Sequence, residues 1–211
     1  MKNQLCIVLD FGGQYNQLIA RRVRENGVYC EIKSYKTPIE EIKKLNPTGI
    51  IFTGGPNSVY DETSPHISKE IFDLDIPILG ICYGCQLMAY TLGGKVESCT
   101  KSEYGKIEIS HSGGTLFKDV PEKNIVWMSH TDFVSQLPEG FKVTAKSEDC
   151  PCAAFECPEK KCYAVQFHPE VTHSEYGKQI LHNFLYDACG FTGDWIMDDF
   201  IENTVECSEI R

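Results

Sequence analysis

Three short runs in this chain are apolar at every position, and each stops abruptly. "LCIVL" (residues 5–9) ends at Asp10, "GIIF" (49–52) opens into "TGGP", and "IPILGI" (76–81) ends at Cys82. A strand with one wet face alternates apolar and polar residues, so unbroken apolar strands have to be buried on both faces. The segments between them have helical spacing. "NQLIARRVRENG" (16–27) sets Leu18, Ile19 and Val23 on one side and stops at Gly27, and "PIEEIKKL" (38–45) starts on Pro and carries Ile39, Ile42 and Leu45. "VYCEIKSY" (28–35) alternates as a further strand, and "SPHISKEIFDLD" (64–75) reads as a further helix. The alternation predicts an α/β fold: an open, mostly parallel sheet with helices on both faces.

After Gly94 the rhythm changes. "KVES", "KIEIS", "IVWMS", "FKVTAKS", "CAAFEC" and "CYAVQF" are short strands separated by turns, which predicts a small antiparallel or mixed extension of the sheet. "SEYGKQILHNFLYDACG" (174–190) closes the pattern as a helix with Ile180, Leu181, Phe184 and Leu185 inward. A length of 211 residues suits one well-cored domain. We read residues 1–190 as that single domain and 191–211 as a C-terminal tail.

The net charge of −10 argues against a nucleic-acid surface, which needs a clustered basic footprint. No run approaches the roughly 18 apolar residues of a membrane helix, and "MKNQLCIVLD" enters a strand with no signal-peptide pattern. The 11 cysteines are odd in number and scattered through strand and helix patterns, which favours reduced thiols in a cytoplasmic protein.

Active sites of open α/β sheets form at the carboxyl ends of the strands. Chemistry-bearing residues follow three strands here: "TGGP" (53–56), "GICYG" (80–84) and "QFHPE" (166–170). Cys82 lies between a strand and a helix, with Gly80 and Gly84 as the small neighbours that a sharp turn requires. A helix N-terminus beside a thiol favours its thiolate. His168 supplies a base. Pro169 keeps His168 extended, so Glu170, two residues on, falls on the same side and can orient the imidazole. The N–H of Tyr83 and a second N–H from Gly54–Gly55 are natural oxyanion donors. Two rivals use other cysteines. Cys82 and Cys85 form a C-x-x-C, which suits a redox pair. Cys150, Cys152, Cys157 and Cys162 have the number and type of zinc ligands, although their spacing is not that of paired zinc motifs.

"GICYGCQLMAYTLGG" together with "VQFHPEV" resembles the class I glutamine amidotransferases, whose triad is Cys-His-Glu. Tyr after the nucleophile, with "LDFGGQYNQLIARRVRE", "GIIFTGGPNSV", "VWMSHTD" and "VQFHPEVTHSEYG", is similar to the branch of that family that feeds GMP synthesis, and the likeness runs over residues 5–190. The resemblance implies Cys82 as nucleophile, His168 as base, Glu170 as its orienter, and Gly55 and Tyr83 as oxyanion donors. It places Gln86, Asn57, Ser129, His130, Thr131 and Asp132 around L-glutamine. It implies no metal or cofactor in this domain, and ATP and Mg²⁺ in a synthetase domain that converts XMP to GMP. No "SGGVDS"-like phosphate loop occurs in the 211 residues. The implied partner is therefore a synthetase domain, in the same full-length chain or on a separate chain, in an enzyme expected to be a homodimer. "DWIMDDFIENTVECSEIR" looks like a connector to such a domain, with 194–207 expected to be partly disordered. Gly13 stands where the family has Ser, Thr131 where Gly is common, and Cys85 where Met is usual.

Overall fold

The computed structural model describes residues 4–196. In chain order the elements are β1 (Leu5–Asp10), α1 (Asn16–Glu25), β2 (Tyr29–Ser34), α2 (Ile39–Leu45), β3 (Gly49–Phe52), β4 (Ile78–Ile81) and α3 (Tyr83–Thr91). They continue with β5 (Lys95–His111), β6 (Lys123–Gln136), β7 (Lys142–Lys146), β8 (Ala154–Cys157), β9 (Cys162–Val165) and α4 (Gly177–Asn183). All strands join one nine-stranded sheet in the order β2-β1-β3-β4-β9-β8-β7-β5-β6. The pairings from β2 to β9 are parallel and those from β9 to β6 antiparallel. The expected extension is thus continuous with the parallel sheet, and β9 is the seam between them.

The apolar strands do bury both faces. Cys6 and Val8 of β1 pack on one side with Leu79, Ile81 and Val165, under Ile19 and Val23 of α1 and Ile180 and Leu181 of α4. Leu5, Ile7 and Leu9 point to the other side with Ile50, Phe52 and Ile78, against Ile42 of α2 and Leu87 and Met88 of α3. The period-two alternation of a strand divides each apolar run between two cores.

Three stretches differ from expectation in extent or type. Residues 64–75 form only a six-residue 3₁₀ turn, Lys69–Leu74, because Asp75 adopts a left-handed conformation (φ 57°) and Pro77 follows. "KVES" and "KIEIS" are the two ends of one 17-residue strand, β5, whose pairing with β6 shifts register between Ser98 and Glu103. The closing helix is α4 followed by a π-helical turn, Phe184–Ala188. Of the proposed tail, residues 191–196 fold back on the body: Phe191 is buried, and the Trp195 main-chain N–H donates to the Gly27 carbonyl at 3.1 Å. The rest of the tail, including most of the stretch expected to be disordered, lies outside the described residues.

The strand order reverses between β1 and β3, and the neighbouring carboxyl ends of β1, β3, β4 and β9 make a shared rim. At that rim a Cβ on Gly84 would sit 2.6 Å from both the Phe52 Cβ and the Phe52 carbonyl oxygen, and a Cβ on Gly80 2.6 Å from the Gly84 carbonyl. Backbone presses on backbone there. Gly84→Ala is expected to destabilise the fold by about 1–3 kcal/mol, the usual cost of overpacking, read as a lower urea midpoint at unchanged slope. An unchanged midpoint would refute the tight approach.

Candidate active site

Cys82 is the residue between β4 and α3. Its backbone is at φ 52°, ψ −106°, a region that costs a non-glycine residue roughly 1–3 kcal/mol. Neighbours hold it there: the Cys82 N–H donates to the Val165 carbonyl at 2.9 Å, and the Gly84 N–H to the Thr53 carbonyl at 3.1 Å. The turn is thereby tied to β9 on one side and to the end of β3 on the other, and it sets the thiol above the sheet at the start of α3. Neither the Gly55 nor the Tyr83 N–H has an acceptor among the described residues. Gly55 leaves no room for a side chain, since a Cβ there would lie 2.8 Å from the Phe11 carbonyl oxygen and 3.2 Å from the Tyr83 ring.

His168 follows β9 and lies in the cleft beside Cys82. Its main chain is pinned by the His168 N–H on the Trp127 carbonyl at 3.0 Å and by the Ser174 hydroxyl on the His168 carbonyl at 2.6 Å. Its Nδ1 meets Glu170 Oε1 at 2.7 Å, and both side chains are buried. The Tyr15 ring packs edge-on against the imidazole at 5.3 Å, and Arg22 holds the Glu170 carbonyl at 3.0 Å. Burial by itself would pull the His168 pKa down. Hydrogen bonds to Cys82 and Glu170, with their negative charge, outweigh it and hold it up at about 10. Gly54 lies against both groups, with a Cβ position 3.3 Å from the imidazole and 3.8 Å from the Cys82 Cβ.

These groups face a cleft of about 320 Å³, within the range of small-molecule sites. Every site residue expected from the sequence lies on it or supports it. Asn57, Gln86, Ser129, His130, Thr131 and Asp132 line it together with Gly55, Cys82, Tyr83 and His168, and Glu170 stands behind His168. Their surroundings are not alike. Ser129 and Thr131 are exposed, as alternate residues of β6 should be, while His130 and Asp132 are buried. Both His130 ring nitrogens are occupied, Nδ1 by the Asp132 carbonyl at 2.9 Å and Nε2 by Glu103 Oε2 at 3.1 Å. The ring shapes the 129–132 wall rather than offering a free nitrogen to the cleft. The Asp132 carboxylate accepts from Ser58 and Tyr60 hydroxyls.

Sequence reasoning missed Gln14 and Tyr15 on the cleft, Glu103 behind His130, and Ser58 and Tyr60 on Asp132. "GGQY" directly after an apolar strand was the available signal for the first pair. Gly13 has a structural reason: a Cβ there would be 2.5 Å from the Gly54 carbonyl oxygen, so the first turn closes on "TGGP" more tightly than a Ser would permit.

The rival readings separate in space. Cys85 is wholly buried in the core under α3, and burial pushes its thiol well above the normal range, which disfavours thiolate exchange. Cys150 and Cys152 enter opposite cores, while Cys157 and Cys162 face each other across β8 and β9. Among the described residues, the one group of three potential metal ligands is Glu103, His130 and Cys150, with ligand atoms within 4.8 Å of one another. Its carboxylate is already satisfied, Oε1 by the Ser147 hydroxyl at 2.6 Å and Oε2 by His130. The cluster therefore closes as a hydrogen-bonded unit.

The family model for glutamine amidotransferase class-I matches residues 7–188. The chain belongs to that family. It is 58% identical over 98% of its length to a GMP synthase [glutamine-hydrolyzing] of Clostridium botulinum and 58% identical over its whole length to one of Caldicellulosiruptor saccharolyticus. The chain spans 41% of the length of each of these relatives. A solved structure described as a GMP synthase subunit, from Thermoplasma acidophilum, superposes with a TM-score of 0.77 at 30% identity, covering 90% of this chain and 95% of that one. A glutamine amidotransferase from Thermotoga maritima shares the fold at 19% identity and a TM-score of 0.68, covering 90% of this chain and 99% of that one. No helix among the described residues is long and apolar enough to cross a membrane.

The raised His168 pKa makes a pH prediction. Folding favours the protonated imidazole, so its contribution is complete below the ordinary value of 6.5 and fades as pH rises through about 10. The wild-type denaturation midpoint is expected to fall across that window, and His168→Gln to flatten the fall. Parallel curves for the two proteins would contradict it.

Proposed function

We propose that this chain is the glutaminase of a GMP-synthesising enzyme. The observation that carries the reading is Cys82, strained into the cleft on the β4–α3 turn, beside an imidazole that Glu170 holds at 2.7 Å. Cys82 Sγ attacks the side-chain amide carbon of L-glutamine. The oxyanion takes the N–H groups of Gly55 and Tyr83. His168 receives the thiol proton and passes it to the departing nitrogen, which leaves as ammonia, while Glu170 keeps Nδ1–H pointed away from the sulfur. A γ-glutamyl thioester remains. His168, now neutral, takes a proton from water, and the hydroxide displaces the Cys82 thiolate and releases glutamate. Asn57, Gln86 and the 129–132 wall recognise glutamine, with the Asp132 carboxylate suited to the α-ammonium group.

The ammonia serves a synthetase domain that activates XMP with ATP and Mg²⁺ and yields GMP. Those ligands belong to that domain, whose phosphate loop does not occur within residues 1–211. Relatives at 58% identity that are more than twice as long, and are named for GMP synthesis, support this assignment over other amidotransferases of the class.

Cys82→Ala is expected to lower glutaminase turnover by roughly 10⁴-fold or more, and a chloroketone analogue of glutamine to label Cys82 alone. Supplying a synthetase partner with XMP and ATP should couple glutamine consumption to GMP formation. Labelling elsewhere, or full turnover in the variant, would reject the proposal.

A further inference from the structure

We infer that Gln166 is a hydrogen-bond donor to the reacting sulfur, and that Gln86 sets which end of the Gln166 amide faces it. The inference rests on the reading of Cys82 as nucleophile and adds a group that the triad does not include.

Gln166 is the first residue after β9 and is completely buried. A primary amide out of water is costly unless bonded, and both ends of this one are. Its Oε1 accepts from Gln86 Nε2 at 3.2 Å, and its Nε2 donates to Cys82 Sγ at 3.7 Å. The orientation follows from a fixed reference. Gln86 Nε2 also donates to the Asp132 main-chain carbonyl at 2.8 Å, and a carbonyl only accepts. The atom of Gln86 at that position is therefore nitrogen. The same nitrogen faces Gln166, which must present oxygen to it, so the nitrogen of Gln166 is left facing the sulfur. Flipping either amide would oppose like groups.

Besides the His168 imidazole and Gln166, Sγ meets the Ser129 carbonyl, also at 3.7 Å. That carbonyl can accept a hydrogen bond from the S–H but offers no donor to a thiolate. Gln166 does the reverse: its N–H strengthens as a donor when the sulfur becomes anionic. The sulfur is anionic before attack on the amide carbon, neutral once the S–C bond has formed, and anionic again when hydroxide displaces it. Gln166 therefore favours the thiolate at the start and as leaving group in deacylation. Its Oε1, tied through Gln86 to Asp132, links that donor to the wall of the cleft.

The test uses Gln166→Met, which fills the space without a donor, and Gln166→Glu, which keeps the shape and reverses the donor. Alkylation of Cys82 by iodoacetamide is followed by mass spectrometry of its peptide across pH, alongside glutaminase kinetics and a thermal melt. In each variant the alkylation midpoint is expected at higher pH than in the wild type. For Gln166→Met the rate at pH 7 should fall roughly tenfold, the size of one hydrogen bond to a charged group. Turnover should fall similarly, with KM for glutamine within about twofold. A purely structural Gln166 would lower the melting temperature and leave the alkylation midpoint in place. Midpoints equal to wild type in both variants overturn the inference while leaving Cys82 as nucleophile. A wild-type Cys82 no more reactive than an ordinary thiol would bring down both.

Discussion

The contact on which the site depends is the one between two backbones, that of Phe52 at the end of β3 and that of Gly84 in the first turn of α3. A Cβ at Gly84 would stand 2.6 Å from Phe52 atoms, and one at Gly80 would collide with the Gly84 carbonyl. With the helix start held this close to the sheet, the single residue that joins β4 to α3 makes the turn at a positive φ. Cys82 is held at φ 52° by the hydrogen bonds on either side of it, its own N–H on the Val165 carbonyl and the Gly84 N–H on the Thr53 carbonyl. The strain is stored by the fold, and what it secures is a thiol raised above the sheet beside N–H groups that have no acceptor among the described residues.

The cleft wall is over-determined in the same way. Asp132 receives hydrogen bonds at its carboxylate from Ser58 and Tyr60 and at its carbonyl from His130 and Gln86. Gln86 carries that order to Gln166 and so to the sulfur, and Glu103 carries it outward to Ser147. Ligand wall and nucleophile are thus one buried polar network. Such networks hold a single geometry only when each member is satisfied.

Much of this was legible in the sequence, where local rules decide. The apolar runs 5–9 and 49–52 lie within strands, since an unbroken apolar run between turn residues has few other fates. The pairing of His168 with Glu170 was expected and is made, but Pro169 and Glu170 lie in a turn, so it is the turn rather than an extended chain that brings the carboxylate to the imidazole. The illegible part is what tertiary register decides. Glu103 meets His130 because β5 and β6 pair those two residues, and the shift between Ser98 and Glu103 that permits it leaves no local mark. Ser58 and Tyr60 reach Asp132 across 74 and 72 residues. The 64–75 segment had helical spacing, yet Asp75 in a left-handed conformation ends it after six residues of 3₁₀ turn, and spacing does not encode that stop.

The cysteines show why residue type alone left the chemistry open. Cys82 and Cys85 are three apart and share a C-x-x-C, and only the flanking residues of Cys82 set them apart in the sequence. The fold separates them. Cys85 looks into the core under α3, where burial and the neighbouring thiols Cys152, Cys150 and Cys82 push it well above the normal range. Burial does the same to Cys150, Cys152 and Cys162, each pushed up to about 12. A thiol in such a place is a small hydrophobe. Cys82 packs into the opposite core from Cys85, and its sulfur has an imidazole, an amide N–H and a helix N-terminus around it. Reactivity in this chain is therefore assigned by what surrounds each sulfur, and only the strained turn brings one of them to those groups.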